Sequence, residues 1–411
     1  MCPIIRTFSY NNKGWTLLSL TRNYRGTICA CFVGYIVQAI VNNFAPLLFV
    51  TFQTAFGVSL DRIALLVTFN FGVQLLVDLI SPVLLGRIGY RAGVIAAHLF
   101  AAAGLAAMAL LPAMLPDPYV GILCAVTLYA VGGGLIEVLV SPIVEACPTD
   151  NKEGAMSLLH SFYCWGQAGV VLLSTGFFLL LGVERWPWLS LIWALVPLAN
   201  AFLFARVPVP SPEDDMAPAL SLKALAADRV FWLMLVLMLC AGACEQAVSQ
   251  WASAFAEQGL GVVKAVGDLA GPTAFALLMG TARLLFSKCT VRLSAERALP
   301  LCAGLCLVSY LLASLPASPV LGLLGCALCG FSVGILWPAT FSLAAARIRG
   351  GGTAMFAFLA LAGDLGCAAG PALVGLASGA LGGNLRLGIL CAAVFPVLLL
   401  LALLINRRMG R

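Results

Sequence analysis

Apolar runs of membrane-crossing length recur from end to end of this chain, and they restrict its fold more than any other feature. A helix needs about 20 residues to cross the hydrocarbon core of a bilayer. Twelve segments reach that length: 27–51, 61–85, 92–114, 118–146, 153–181, 186–205, 229–258, 264–287, 298–315, 318–346, 351–379 and 386–405. Only 10% of the 411 residues are charged and 62% are hydrophobic, a composition that a water-soluble globular chain does not carry. The runs are too long, and alternate too little, for the strands of a β-barrel. Helices are then the way to satisfy the backbone in lipid. The sequence predicts an all-α integral membrane protein with 12 transmembrane helices.

The net charge of +6 reads as a topology signal. With both termini placed in the cytoplasm, eighteen of the 23 Lys and Arg residues fall in segments on that side. Four (Arg62, Arg185, Lys264 and Arg386) fall in external loops, and Arg283 lies inside a helix. This bias favours a plasma-membrane protein with both ends cytoplasmic. The first 26 residues contain four basic and no acidic residues and lack a signal-peptide cleavage pattern. The fifteen cysteines lie almost entirely within the helical runs, where a small soft side chain packs well. Close pairs such as Cys326 and Cys329 lack a His or carboxylate to complete a metal set, so no metal site is expected.

Ionisable residues inside such helices are costly and mark protein interiors or water-filled cavities. They are Asp78 in helix 2, His98 in helix 3, Glu137 and Glu145 in helix 4, and His160 in helix 5. Glu245 in helix 7, Asp268 and Arg283 in helix 8, and Asp364 in helix 11 complete the set. Glu137 stands near the middle of its run, and the next helix opens with His160, Tyr163, Cys164 and Gln167 on one face. Sequence does not choose whether His160 pairs with Glu137 or with Glu145, nearer the helix end. A lone His98 on an apolar helix reads as packed and hydrogen-bonded. Helix 1 carries Gln38, Asn42 and Asn43, followed by Pro46, and helix 2 carries Asn70, Gln74 and Asp78 at spacings of four. The competing reading of each amide is interhelical hydrogen bonding.

The second half repeats the first. Gln38-Ala-Ile-Val-Asn42-Asn43 aligns with Gln246-Ala-Val-Ser-Gln250-Trp251, and Gly134 and Pro142 align with Gly330 and Pro338. Between the halves lies VPVPSPEDDMAPALSLKALAADR, rich in Pro and acid at its start, which reads as a linker. The expected division is an N-terminal tail over 1–26, six helices over 27–205, a cytoplasmic linker over 206–228, and six helices with a short tail over 229–411.

The turn after helix 2, PVLLGRIGYRAG, resembles the helix 2–3 loop of the major facilitator superfamily through Leu84, Arg87, Gly89 and Arg91. Pro82, Gly86 and Tyr90 depart from that pattern. Two six-helix pseudo-repeats joined by a linker are that superfamily's architecture. In it, helices 1, 4, 7, 10 and 2, 5, 8, 11 line the cavity; of the ionisable residues above, only His98 falls elsewhere. The resemblance extends to the fucose/glucose permease branch through Asn42-Asn43, Phe52-Gln-x-Ala-Phe56, Gly133-x-x-x-Glu137-x-x-x-x-Pro142 and Leu159-His160-x-Phe162. It implies proton-coupled sugar uptake, with Glu137 matching the branch's helix 4 acid. Pro46 stands where the branch's fucose permeases have a helix 1 Asp, so either one carboxylate suffices or another acid, such as Glu245 or Asp364, serves.

A proton symporter needs buried acids that load and release a proton, which Glu137, Glu245 and Asp364 provide. A sugar needs amides and carboxyls for its hydroxyls and aromatic faces for its ring. Gln38, Asn42, Asn43, Glu137, His160, Tyr163, Trp165, Gln167, Gln246, Gln250, Trp251 and Trp337 are the candidates, against packing or anchoring for each Trp. Asp78, Arg87, Arg91, Glu145 and Arg283 are assigned to gating. No cofactor is expected beyond a proton gradient, with sodium as the other candidate ion. The partners are a small solute and the bilayer, with no nucleic acid, and a monomer is expected. A proton-driven exporter of drug-like or metabolite substrates shares this fold and is the alternative to import. An inactive sensor would carry a soluble appendage. No phosphate-cradling glycine loop is present for ATP-driven transport.

Overall fold

The computed structural model describes residues 8–11, 14–17, 24–148, 152–210, 222–289, 294–348 and 352–409. Twelve helices in it are long and apolar enough to cross a membrane. In chain order, helices 1 to 6 are Arg25–Phe56, Leu60–Ser81, Arg87–Met114, Pro118–Val144, Leu158–Leu181 and Val183–Arg206. Helices 7 to 12 are Arg229–Ser249, Lys264–Phe286, Ala295–Ser314, Pro319–Arg347, Ala357–Ala380 and Leu385–Arg408. The chain is a multi-pass membrane protein. The N-terminal segment, expected as a plain tail, contains a short antiparallel hairpin, Phe8–Asn11 against Gly14–Leu17.

Local chemistry sets several boundaries. Asp117, Asp228 and Asn384 cap the starts of helices 4, 7 and 12 by accepting from the N–H groups of Tyr119, Val230 and Arg386, satisfying amides that have no intrahelical partner. The chain turns from helix 2 into helix 3 at Gly89, whose φ of 77° is open to glycine and strained for other residues. Arg91, just beyond, donates to the Ala205 and Val207 carbonyls at 3.1 and 2.8 Å, at the end of helix 6. A cation is favoured at that pole of a helix. The observed bonds of Arg91, expected as a gating residue, tie elements within the first half. Arg87 is exposed at the same turn.

Several spans are not continuous helices. Helix 1 is α-helical over Arg25–Asn43, passes through a 3₁₀ turn at Ala45–Leu48 containing Pro46, and resumes at Phe49–Phe56. Helix 7 ends its regular run at Ser249 and continues, after Gln250 and Trp251, through Ala252–Ala254 and a π turn at Phe255–Gly259. The two breaks begin within two residues of each other when the repeats are aligned. Helix 4 runs unbroken from Pro118 to Ala146 through Pro142.

Large apolar side chains such as Leu172, Leu173, Leu180 and Leu404 cover the outer faces. Inside, helices come close where side chains are small, since lipid supplies no hydrophobic drive for helix association and packing must do it. Along the helix 7–helix 11 contact, a β-carbon at Gly366 would collide with the Leu239 carbonyl oxygen and one at Gly370 with that of Ala243. His98 is fully buried, with Nδ1 at 2.7 Å from the Val94 carbonyl and Nε2 at 2.8 Å from Asn200 Nδ2. The carbonyl can only accept, so the network assigns the proton to Nδ1.

Because the obstacles at Gly366 are backbone atoms, a side chain there must push the helices apart. Gly366→Leu is expected to destabilise the protein by about 1–3 kcal/mol or more, read as a lower apparent melting temperature in detergent. The peripheral Gly304→Ala, which meets open space, is expected to leave it unchanged.

Candidate functional site

The amides predicted on helices 1 and 7 meet between the two halves. Gln38 Nε2 donates to Glu137 Oε2 and to Gln74 Oε1, both at 3.1 Å. Gln74 Nε2 donates to Asn42 Oδ1 at 3.0 Å, and Asn70 Nδ2 reaches the same oxygen at 3.4 Å. Gln250 Nε2 crosses from helix 7 to the Asn42 carbonyl at 3.0 Å and also donates to Gln246 Oε1 at 3.0 Å. Gln246 Nε2 continues to Glu245 Oε1 at 3.3 Å. An unbroken polar chain thus runs from Glu137 in the first half to Glu245 in the second. Buried amides need such partners, because an unmade bond away from water costs about 1–3 kcal/mol.

Room for this chain is made by glycine. A β-carbon on Gly133 would lie 3.1 Å from Gln38 Oε1 and 3.4 Å from Gln74 Cδ. The Gly133–Glu137 spacing noted in the sequence thus places the acid one turn from the gap that admits both glutamines.

Beyond Glu245 the network ends on a cation. Arg283 Nη2 lies 3.6 Å from Glu245 Oε2. Arg283 also donates through Nε to the Gly334 carbonyl at 3.0 Å and through Nη1 to the His160 carbonyl at 3.2 Å. It joins helices 5, 7, 8 and 10, so the residue expected to gate stands beside Glu245 and bonds across the two halves. Asp78 and Asp364, on helices 2 and 11, lie close together between the halves, and both buried carboxylate oxygens of Asp78 lack a hydrogen-bond partner.

The other expected residues separate into groups. Asn43 Nδ2 reaches the Tyr163 hydroxyl at 3.4 Å, and Tyr35, hydrogen-bonded to Ser141 Oγ at 2.9 Å, meets the His160 ring edge-on at 5.2 Å. Gln167 donates to Ser249 Oγ at 2.9 Å, another bond between the halves. Trp337 is partly buried against Phe341 and Gly363. Trp165 departs from the expectation: it is 42% exposed, on the stripe of Leu172, Leu173 and Leu180 that faces outward. At 100° per residue it points away from His160, Tyr163 and Gln167. Trp251 is fully buried, its indole N–H donating to the Pro371 carbonyl at 3.0 Å and its ring against Phe49. With its one donor used it is a packed residue, not an open stacking face. The side chain of Glu145 lies outside the described residues.

Accessibility differs between the two ends. His160 is exposed although it stands on the inward face of helix 5, and Glu137, Ser141 and Trp337 are partly exposed. The interface between the halves is therefore open toward the side that carries the termini. The opposite, far side is closed. There Lys264 Nζ donates to the Leu47 carbonyl at 2.8 Å and pairs with Asp268 at 3.1 Å, while Thr175 donates to Asp268 at 3.2 Å. Sequence reasoning placed Lys264 in a loop and left Asn70, Gln74 and Lys264 off the site. The four-residue spacing of Asn70, Gln74 and Asp78 was the available signal for helix 2; Lys264 carried none. Among the described residues no group of three or more His, Cys, Asp or Glu is arranged to hold a metal ion.

The model of the Major Facilitator Superfamily matches residues 28–371, and the chain belongs to that superfamily of membrane transporters. No curated protein matches the sequence. Among solved structures, the chain is similar to the E. coli fucose:proton symporter FucP at 18% identity and a TM-score of 0.64, covering 93% of this chain and 98% of that one. It is similar to a D-xylose-proton symporter at 14% identity and a TM-score of 0.76, over 93% and 97%. A bacterial homolog of the human lysosomal transporter Spinster, in an inward-facing and occupied conformation, aligns at 13% identity and a TM-score of 0.70, over 94% and 98%. At these identities the likeness is one of fold.

Gln74 is the hub of the first-half network. Gln74→Leu removes a donor to Asn42 and an acceptor for Gln38, and is expected to cost about 1–3 kcal/mol. Thermal unfolding against Thr127→Ala, which loses only a bond to its own helix, checks this. Equal melting temperatures would show that the network does not hold the interface.

Proposed function

We propose that this transporter carries a sugar or a similar small polar solute into the cell together with a proton, by alternating access. The termini and the linker stand in the cytoplasm of a plasma-membrane protein. The observation that carries this reading is the polar chain from Glu137 through Gln38, Gln74, Asn42, Gln250 and Gln246 to Glu245. It draws on both halves, so a solute bound along it senses their relative position. Amide side chains offer both donors and acceptors, which suits a ligand covered in hydroxyls. Tyr163 and Trp337 offer aromatic faces beside it. The fold likeness to the fucose and xylose proton symporters supports the same solute class.

The acids have different surroundings and so different tasks. Glu245 is held by Arg283. Glu137 accepts from an amide, and none of the ion pairs among the described residues includes it. Its charge is not fixed by a cation, and its partial exposure on the open side gives a proton a route in and out. Loading Glu137 from one side and emptying it to the other couples the gradient to the solute. Solute hydroxyls compete for the amides that face it. Asp364, buried close to Asp78 with no cation paired to it among the described residues, is the second proton-holding group.

The test is uptake of labelled sugars into proteoliposomes with an imposed pH gradient. The expected result is accumulation of at least one sugar when the interior is alkaline. Movement of apolar drug-like compounds with no sugar uptake would favour export instead. Glu137→Gln is expected to abolish accumulation against a gradient while leaving solute counterflow, which needs no net proton movement. Wild-type accumulation in that variant would remove Glu137 from the proton path.

A further inference from the structure

We infer that the break in helix 1 is a docking point by which the second half closes the far side of the transporter, with Pro46 creating the acceptor and Gln250 occupying it. In an α-helix the carbonyl of residue i accepts from the N–H of residue i+4. Four residues after Asn42 stands Pro46, which has no N–H to give. The Asn42 carbonyl, inside the membrane span and away from water, is left to find another donor. It finds Gln250 Nε2 at 3.0 Å, from the opposite half.

Three further observations converge on this reading. Asn42 and Gln250 are aligned positions of the two repeats, so the bond joins equivalent points of the halves. The repeat is not symmetrical in chemistry, however: the residue four after Gln250 is Ala254, which keeps its N–H, so the freed acceptor lies on helix 1 alone. A second donor from the same half reaches the same broken segment, Lys264 Nζ to the Leu47 carbonyl at 2.8 Å. Leu47 belongs to the 3₁₀ turn that contains Pro46. Lys264 is itself steadied by Asp268 at 3.1 Å on the same helix, and Asp268 accepts from Thr175 of the first half. A cavity of about 10 Å³ lies beside Asn42, Pro46 and Gln250, at the lower limit for one water, so the contact is close to dry.

Opening the far side separates helix 1 from helix 7 and takes both donors away from helix 1. The orphaned carbonyls must then turn to water or solute. Pro46 thereby sets the balance between the closed and open far side. Gln250 acts as a gate residue as well as part of the amide chain. This role depends on the two halves moving, and not on which solute or ion moves with them.

The experiment measures far-side separation by pulsed electron resonance between spin labels on unnatural residues at Met114 and Leu315. Both are exposed at far-side helix ends, outside the network. Labels on cysteine are avoided because the chain has fifteen. In nanodiscs, Pro46→Ala supplies an N–H that competes for the Asn42 carbonyl. It is expected to raise the ratio of far-side-open to far-side-closed molecules by about threefold to tenfold, the worth of one net hydrogen bond. Gln250→Leu, which leaves the backbone of helix 1 as it is, is expected to do the same. The double variant is expected to exceed neither single variant, since both remove one bond, whereas adding Lys264→Met shifts the ratio further. Unchanged distances in both single variants, or fully additive shifts in the double variant, would overturn the inference.

Discussion

A bilayer offers no water to a buried polar group, so each backbone or side-chain donor and acceptor must be met from within the protein. Nearly everything distinctive in this structure follows from that constraint. The outer faces are apolar, and the amides and acids gather where the two halves meet. There Gln38 serves Gln74 and Glu137, Gln74 serves Asn42, and Gln250 serves Asn42 and Gln246. The chain is economical in donors, with single amide groups bridging two acceptors. An interface bonded in this way is specific, yet it leaves buried acceptors such as Gln38 Oε1 and Asn70 Oδ1 for solute hydroxyls to meet. That property separates a transport path from a permanently packed core.

The same constraint explains why the helices break where they do. Pro46 interrupts helix 1, and a π turn follows the regular run of helix 7. Irregular backbone at membrane depth is tolerated only where protein or a cavity meets its groups. In this structure the opposite half meets them: the Asn42 and Leu47 carbonyls accept from Gln250 and Lys264. Far from the interface the rule is satisfied locally, as when His98 and Asn200 bond each other and neighbouring carbonyls. Where close packing is needed without polar groups, as between helices 7 and 11, glycines remove the obstacle.

The asymmetry of access is a second consequence. Bonds between the halves concentrate toward the far side and the centre, while His160, Ser141 and Trp337 remain reachable from the side of the termini. Arg283 stands between the two zones, gathering Glu245 and the carbonyls of His160 and Gly334. A guanidinium with five donors can hold several acceptors at once. Moving the halves must therefore rearrange its contacts, which places one fixed positive charge beside Glu245 where the halves meet.

The sequence by itself determined the number of spans, their order, and which helices carry polar residues. Those facts follow from helix rise and bilayer thickness, which act on any run of residues without reference to its neighbours. It also determined the pairing of Gln38–Asn43 with Gln246–Trp251, because a repeat is visible in residue order alone. The tertiary structure decided which polar groups find one another. Trp165 and Gln167 are two residues apart, yet one turns to the outer face and the other bonds Ser249. Trp251 aligns with Asn43 but is used in packing against Phe49 and Pro371. Arg91 matches a loop motif but holds the end of helix 6, and Lys264 reads as a loop charge but reaches the carbonyl of Leu47. Helical spacing places residues on a face within one helix. What that face meets depends on how twelve helices pack, and no period within a single segment encodes it.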